Sequence, residues 1–409
     1  MTERLYYTDS FLHQFQARVD DLRTGPKGTA VLLDRSAFYP TSGGQVFDTG
    51  WLRPIGDAGS AKVRIVEVEE DDSSGDVLHY IEDAAQLQTG VLVEGTIDAG
   101  RRRDHMQQHS GQHVISAAFE RLFDFPTVSF HMGDESCTID LATDAVTPTQ
   151  LHAAEKLANE VVFEDRAVEI RFATPEEARG MGIRKIPAAE RSRLRLIDIR
   201  DFDLNACGGT HVRSTGQIGS ILLRKTEKVR QGVRVEFVCG LRAVATARRD
   251  FSTLTEAAAV FSTHLYDLPQ QSRKALEDIK SAQKGQSKLL EEVAELQAVQ
   301  FLQSASTLAS GAKLIVRFFP DRDLGFIKML AQKITRAAQA VALVGCGGSQ
   351  PALVFTQSPG QANDMGALMK QTVQRLGTRG GGNKDMAQGG APDASSVEHA
   401  LSETAAEMK

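Results

Sequence analysis

The sequence predicts an α+β multidomain protein, and three observations carry that expectation. Residues 63–68 alternate apolar and polar side chains at period two, and Val91-Leu92-Val93 and Thr96-Ile97 continue in that style, as half-buried strands do. Between Met106 and Leu122 the apolar residues Val114, Ile115, Ala118, Phe119 and Leu122 recur at helical spacing. Beyond residue 306, strand-like and helix-like stretches alternate, the pattern of a small α/β domain.

The elements follow in order. Residues 1–98 read as mostly β, with turn-rich stretches at 40–44 and 73–76. The acidic run 67–76 reads as a solvated hairpin tip. Residues 99–245 read as mixed α and β: the helix just described, a second helix over 147–162 opened by Pro148, and strands at 218–223 and 233–238. Residues 246–305 read as a helical arm in which Pro269 ends one helix and opens the next. Gln283 and Gln286 interrupt the partial heptad of Leu276, Ile279, Leu290, Val293 and Leu296, so a connecting hairpin arm is expected rather than an extended coiled coil. Residues 306–409 open with a strand at 313–319, a helix near 325–339 and strands at 341–344 and 352–355. The last stretch, 391–409, is polar and small and reads as a frayed end.

Composition removes several classes. With 41 % hydrophobic and 24 % charged residues the chain is of ordinary globular type. No stretch approaches the ~18 continuous apolar residues of a spanning helix. Glu3, Asp9 and Asp20 interrupt the N-terminal stretch, which lacks the apolar core of a secretory signal. Forty-seven basic against 53 acidic residues exclude a globally basic nucleic-acid coat, though not a local basic patch. Cys137, Cys207, Cys239 and Cys346 form no C-x-x-C pair and read as reduced thiols of a cytoplasmic protein.

Two short motifs carry chemistry. His109-Ser110-Gly111-Gln112-His113 places two imidazoles four residues apart, on one face of a helix. Cys207-Gly208-Gly209-Thr210-His211 separates a thiol and an imidazole by three small residues, and the glycines permit a tight turn that brings both donors together. His109, His113, Cys207 and His211 make a set of nitrogen and sulfur donors suited to one tetrahedral Zn²⁺ per chain. Ser110 stands where H-E-x-x-H has its glutamate, which argues against a zincin protease. There is no H-x-E with P-C-x-x-C, no P-loop and no G-x-S-x-G elbow.

These two motifs together resemble the editing domain of alanyl-tRNA synthetase, and most closely the freestanding AlaX proteins. Ala37-Phe38-Tyr39-Pro40-Thr41-Ser42-Gly43-Gly44-Gln45 and Asp48-Thr49-Gly50 match that family's glycine-rich motif. The stretch from Gly380 to Gly390 is similar to the glycine-rich signature of the synthetase's DHHA1-type C-terminal domain. The resemblance implies four parts: a small β-barrel over 1–98, a zinc editing domain over 99–245, a helical arm over 246–305 and a DHHA1-like domain over 306–409. It implies a factor that hydrolyses mischarged tRNA(Ala) in trans, principally Ser-tRNA(Ala) with Gly-tRNA(Ala) as a further candidate, spares Ala-tRNA(Ala), and neither uses ATP nor activates alanine.

The same resemblance turns Ser42, Gly43, Gly44 and Gln45 toward the substrate. Gln112 and Thr210 are the candidates for reading a serine hydroxyl or placing a water. Four protein ligands fill a tetrahedral zinc, so the metal either organises the site or holds the substrate's amino group or ribose. Arg101-Arg102-Arg103, the run 179–200 with Arg184, Lys185 and Arg195, and 220–234 with Arg224 and Arg234 are candidate phosphate contacts. Arg379 and Lys384 flank the C-terminal glycine run, whose domain either grips the tRNA or forms a homodimer. No membrane contact is expected. The competing readings are a non-catalytic tRNA-binding or co-chaperone-type protein with a structural zinc, and a hydrolase of other aminoacyl esters.

Overall fold

The structure is a computed structural model that describes residues 1–56, 61–71, 73–82, 87–181, 183 and 193–408. It is α+β and divides into two compact units, Met1–Glu256 and Ala257–Lys409. Arg184 and Lys185 lie outside the described residues.

The first unit begins with a two-residue strand, β1 (Glu3–Arg4), followed by β2 (Gln14–Gly25), β3 (Gly28–Leu33), β4 (Arg35–Ser36), β5 (Gly50–Pro54), β6 (Val63–Glu70), β7 (Val77–Ile81) and β8 (Leu92–Ile97). Six of these close a barrel in the order β2-β3-β7-β6-β5-β8, while β4 pairs in parallel with β1. Closure leaves these strands no free edge. The period-two pattern expected at 63–68 holds in β6 only from Val63 to Ile65, because a bulge between Ile65 and Glu67 shifts the phase and buries Val68; β2 buries Phe15, Ala17 and Val19 while its intervening residues face out. The barrel encloses Phe38, Leu52, Ile65, Val68, Val77 and Val93, all fully buried. The connection from β4 to β5 carries the glycine-rich motif, of which Ala37 and Phe38 pack into the barrel core.

Helix α1 (Ala99–Phe123) opens at Asp98, whose carboxylate accepts from the backbone N–H of Gly100 and Arg101, and closes at Asp124 in the left-handed region, φ 56°. It begins earlier than the expected 106–122, at the Asp98 cap, and its added first turns bury Arg102. The following elements are β9 (Thr127–Met132), β10 (Cys137–Leu141), α2 (Pro148–Phe163), β11 (Val168–Ala173), α3 (Pro175–Gly180), β12 (Leu194–Ile199), β13 (Asp203–Ala206), β14 (Ile221–Val229), β15 (Gly232–Cys239) and α4 (Gly240–Val260). They form a four-stranded sheet, β14-β15-β10-β9, and a three-stranded one, β11-β12-β13. Helix α1 touches strands of both sheets and is buried on nearly every side. Gly111 permits the approach to β15, since a Cβ there would sit 2.2 Å from the Cys239 sulfur. The strand expected from 218 starts only at Ile221, because 215–218 form a 3₁₀ turn.

The second unit holds α5 (Leu268–Gln303), β16 (Ser306–Thr307), β17 (Lys313–Phe319), α6 (Leu324–Ala337), β18 (Ala340–Cys346), β19 (Ala352–Gln357), α7 (Met365–Arg375), β20 (Gly380–Gly382), β21 (Met386–Gly390) and α8 (Ala394–Glu407). Its sheet runs β16-β17-β18-β19-β21-β20. Pro269 sits in the first turn of α5, where its missing N–H costs nothing. The C-terminal half of α5 packs Leu290, Val293, Ala294 and Ala298 with α6, while Leu276 and Ile279 stay exposed. The expected frayed end is corrected: Asp393 caps α8, which buries Val397, Ala400, Leu401 and Thr404 at helical spacing. Among the described residues no helix is long and apolar enough to cross a membrane.

Candidate metal centre

Helix α1 supplies His109 and His113, and the turn after β13 supplies Cys207 and His211. One ligand atom from each lies within 4.8 Å of every other. The Cys207 Sγ is 3.3 Å from the Nε2 of both His109 and His211. The imidazole centroids of His109 and His211 are 4.5 Å apart, and those of His113 and His211 are 4.9 Å apart.

The Nδ1 atoms point away from this centre, each to its own partner. His109 Nδ1 is 2.7 Å from Gln45 Oε1, His113 Nδ1 is 3.3 Å from Asp203 Oδ2, and His211 Nδ1 is 3.1 Å from Ser110 Oγ. Outer partners of this kind orient an imidazole and fix which nitrogen is left to bind a metal. The period of β13 puts Asp203 and Asn205 on one buried face, and Asn205 donates to both oxygens of Asp203, at 2.9 and 2.8 Å. Burial opposes charge on Cys207, but His109 and His211 outweigh it and hold the thiol well below its usual range. Burial likewise opposes charge on His113, yet Asp203 and the Cys207 sulfur push that imidazole up to about 9. Burial dominates at His211 and drives it down to about 3. An anionic sulfur with three converging Nε2 atoms fits a zinc ion.

The Cys207–His211 turn is tightly held. Arg195, buried, donates through Nη1 to the carbonyls of Cys207 (2.6 Å) and Gly209 (2.9 Å), and through Nε to Tyr7 (2.9 Å). A Cβ on Gly209 would lie 2.1 Å from His109 Cε1, so glycine is required there. The glycine-rich motif approaches from the other side. Ser42 and Gln45 exchange backbone hydrogen bonds at 3.0 Å around Gly43 and Gly44, whose φ values of 57° and 85° suit glycine.

A cavity of about 590 Å³ opens beside the cluster, walled by His109, His113, Cys207 and Gly208, by Ser42 and Gly43, and by Gln112, Thr127 and Phe130. Gln112 faces it, with Nε2 2.8 Å from Ser116 Oγ. Thr210 does not line it: fully buried, its Oγ1 accepts from Gln45 Nε2 at 2.8 Å. Gly44 and Gln45 also stand behind the wall rather than in it. Arg101 donates to the Phe47 carbonyl at 3.0 Å and lies over that ring. Several of the arginines read as phosphate contacts are engaged elsewhere: Arg102 is buried on Asp48, Arg195 holds the ligand turn, and Arg224 and Arg234 pair with Asp250 and Asp140. In the second unit exposed Arg379 borders a cavity of about 570 Å³ with Gly380 and Gly381, and Lys384 is exposed. Sequence reasoning missed Asp203, the hold of Arg195 on the ligand turn and the pairing of Arg102 with Asp48. Only Asp203, one strand period from Asn205 and just ahead of the cysteine, left a readable signal.

Two family models match: "Threonyl and Alanyl tRNA synthetase second additional domain" over residues 194–235, which holds Cys207 and His211, and "tRNA synthetases class II (A)" over residues 2–101, which holds the barrel and the glycine-rich motif. Along 98 % of its length the chain is 30 % identical to alanine–tRNA ligase of Pyrococcus abyssi. The chain is thus similar to alanyl-tRNA synthetases along nearly its whole length. That similarity agrees with the AlaX-like motifs. Also similar are the alanine–tRNA ligases of Archaeoglobus fulgidus (31 % identity, 95 % of this chain) and Halobacterium salinarum (32 %, 99 % of this chain). The chain spans less than half of these relatives: 43 %, 42 % and 44 % of their respective lengths. The C-Ala domain of Aquifex aeolicus alanyl-tRNA synthetase overlaps 25 % of this chain and 96 % of its own at 17 % identity, with a TM-score of 0.24, too low to carry an argument.

Proposed function

We propose that this chain is a zinc-containing aminoacyl-tRNA deacylase that hydrolyses the ester of mischarged tRNA(Ala), chiefly Ser-tRNA(Ala), and spares Ala-tRNA(Ala), with Gly-tRNA(Ala) as a further candidate substrate. The observation that carries the reading is the cavity in which His109, His113 and Cys207 face the Ser42-Gly43 turn. Its volume of about 590 Å³ has room for an aminoacyl group with part of a ribose.

His109, His113, Cys207 and His211 would hold the zinc, which when bound supplies a fixed positive charge beside the scissile ester. The remaining roles fall to the chain. Gly43 leaves the backbone bare where the terminal nucleoside would lie. Gln112, between the two histidines, offers an amide to the substrate side chain. A site that hydrogen-bonds a hydroxyl rejects the analogue lacking it, because its polar groups are then left unpaired. This favours the serine ester over the alanine ester, and it gives a glycine ester no matching contact. Arg101, Arg184, Lys185, Arg379 and Lys384 are the proposed phosphate contacts, and the reaction would take place in the cytoplasm, without ATP.

The test is deacylation of Ser-, Gly- and Ala-tRNA(Ala) by the zinc-loaded protein with Cys207→Ala as the matched control. Expected is loss of the serine ester, retention of the alanine ester and no activity in the variant. Survival of every ester with folded, zinc-loaded protein would overturn the proposal in favour of a binding protein with a structural zinc. Gln112→Ala is expected to alter the ratio of serine to alanine ester hydrolysis, and an unchanged ratio would remove Gln112 from the discrimination.

A further inference from the structure

Gln45 belongs to the glycine-rich motif, yet its side chain is fully buried and lies outside the cavity. Its amide makes three hydrogen bonds. Oε1 accepts from the backbone N–H of Thr210 at 3.0 Å, and Nε2 donates to Thr210 Oγ1 at 2.8 Å. The third contact is His109 Nδ1 to Oε1, 2.7 Å.

The backbone N–H settles the amide. It can only donate, so the atom that faces it is the carbonyl oxygen and not the nitrogen. An oxygen that accepts there must also accept from His109, so His109 carries its proton on Nδ1. The lone pair is then on Nε2, the atom 3.3 Å from Cys207 Sγ. Gln45 thus selects the one tautomer of His109 that can join the cluster. Through Thr210 the same amide grips the turn that carries Cys207 and His211. Gly209 leaves no slack in this arrangement, since a Cβ there would stand 3.0 Å from Gln45 Oε1.

We propose that Gln45 is a positioning residue of the metal centre, not a substrate contact: it fixes the His109 tautomer and locks the Cys207–His211 turn to α1. The inference rests on the metal-site part of the reading above and not on ester hydrolysis. It also couples two walls of the cavity, because Ser42 and Gly43 belong to the same four-residue turn as Gln45. A change that frees Gln45 therefore loosens the metal and the proposed substrate wall together.

The test uses the full chain, stripped of metal and titrated with Zn²⁺ against a chromophoric chelator, with the Co²⁺ absorption spectrum as a second readout. Gln45→Leu removes the acceptor and leaves Nδ1–H buried without a partner. Loss of such an outer partner lowers metal affinity by roughly 10–100-fold, and the Co²⁺ spectrum is expected to shift with it. Gln45→Glu keeps an oxygen for His109 and Thr210 N–H, and the second oxygen can accept from the Thr210 hydroxyl, so its affinity is expected to stay close to that of the parent. A residue of merely structural importance would lower the thermal stability of the metal-stripped protein in both variants without separating their affinities. If Gln45→Leu does not fold, Thr210→Val releases the amide and is expected to weaken zinc binding in its place.

Parental zinc affinity in folded Gln45→Leu, or an equal loss in the Leu and Glu variants, would overturn the proposal. Absence of Zn²⁺ or Co²⁺ binding by the parent protein would overturn the metal site itself. A parent that binds zinc in this way and cleaves no ester would overturn only the deacylase reading.

Discussion

His79 has no exposed surface. Its Nδ1 donates to the Val31 carbonyl at 2.9 Å, and its Nε2 meets Ser36 Oγ at 2.7 Å. Burial pushes this imidazole down to about 4, and burial does the same to His105 in α1. The folded state therefore keeps both neutral at a pH where the unfolded chain has begun to bind protons. Their contribution is fully present above about pH 6.5 and is lost as the pH falls toward about 4. Each such group costs up to about 1.4 kcal/mol per pH unit within that window. Urea denaturation of His79→Gln from about pH 7 to about pH 4 is expected to show a shallower loss of stability than the parent; identical slopes would count against the assignment. A second residue-scale outcome concerns Gly209. A methyl group 2.1 Å from His109 Cε1 forces either the ring or the turn to move. Gly209→Ala is expected to weaken zinc binding and to cost about 1–3 kcal/mol of stability by overpacking, measured by chelator competition and thermal unfolding. At this scale the ligands were readable because each pair sits within five consecutive residues. Thr210 and Gln45 were readable as important but not as buried supports, since burial depends on the distant partner that each one meets.

At the scale of elements, what joins the glycine-rich connection to α1 is an ion pair with no exposed surface on either side, Arg102 with Asp48. Arg102 also donates to the carbonyls of Ser10 at 2.8 Å and Ala37 at 2.6 Å, while Asp48 accepts from the backbone N–H of Tyr39 at 2.7 Å. Removing one partner leaves a buried charge uncompensated, which costs about 3–5 kcal/mol. Asp48→Leu and Arg102→Met are each expected to lose stability on that scale, and the double variant to recover a large part; additive losses would show that the two residues do not act as a pair. The pattern of elements was largely open to reading. Strands β6, β15, β17 and β19 and helices α1, α2, α5 and α6 fall where period and proline placed them, because a face turned to the core writes its spacing into the sequence. Arg102 shows the limit: three successive arginines at a helix start look like a phosphate patch until the middle one is seen to be buried. Helix α8 shows another, since Val397 and Leu401 are the only large apolar residues in a buried stripe otherwise made of alanine and threonine, too faint to distinguish from a loose end.

At the scale of the molecule, the metal cluster, the cavity beside it, Gln45 and the Arg102–Asp48 pair all lie within Met1–Glu256. Arg379, Lys384 and their glycine-lined cavity lie within Ala257–Lys409. The unit boundary falls inside α4, which runs from Gly240 to Val260, so a separation that preserves the first unit must cut beyond that helix. Each unit has its own buried core, which is what allows a domain to fold alone. A fragment ending at residue 262 is therefore expected to fold cooperatively and to bind zinc with the affinity of the full chain. If the second unit contributes RNA phosphate contacts, the full chain should bind tRNA(Ala) more tightly and with a steeper fall of log K against log salt, by about 0.9 for each duplex phosphate neutralised. On the proposed deacylase reading, which assigns selectivity to the cavity, the fragment would then keep the preference for the serine ester and lose affinity for the RNA. Equal salt slopes for fragment and full chain would place the phosphate contacts in the first unit and leave Arg379 and Lys384 without a role in RNA binding.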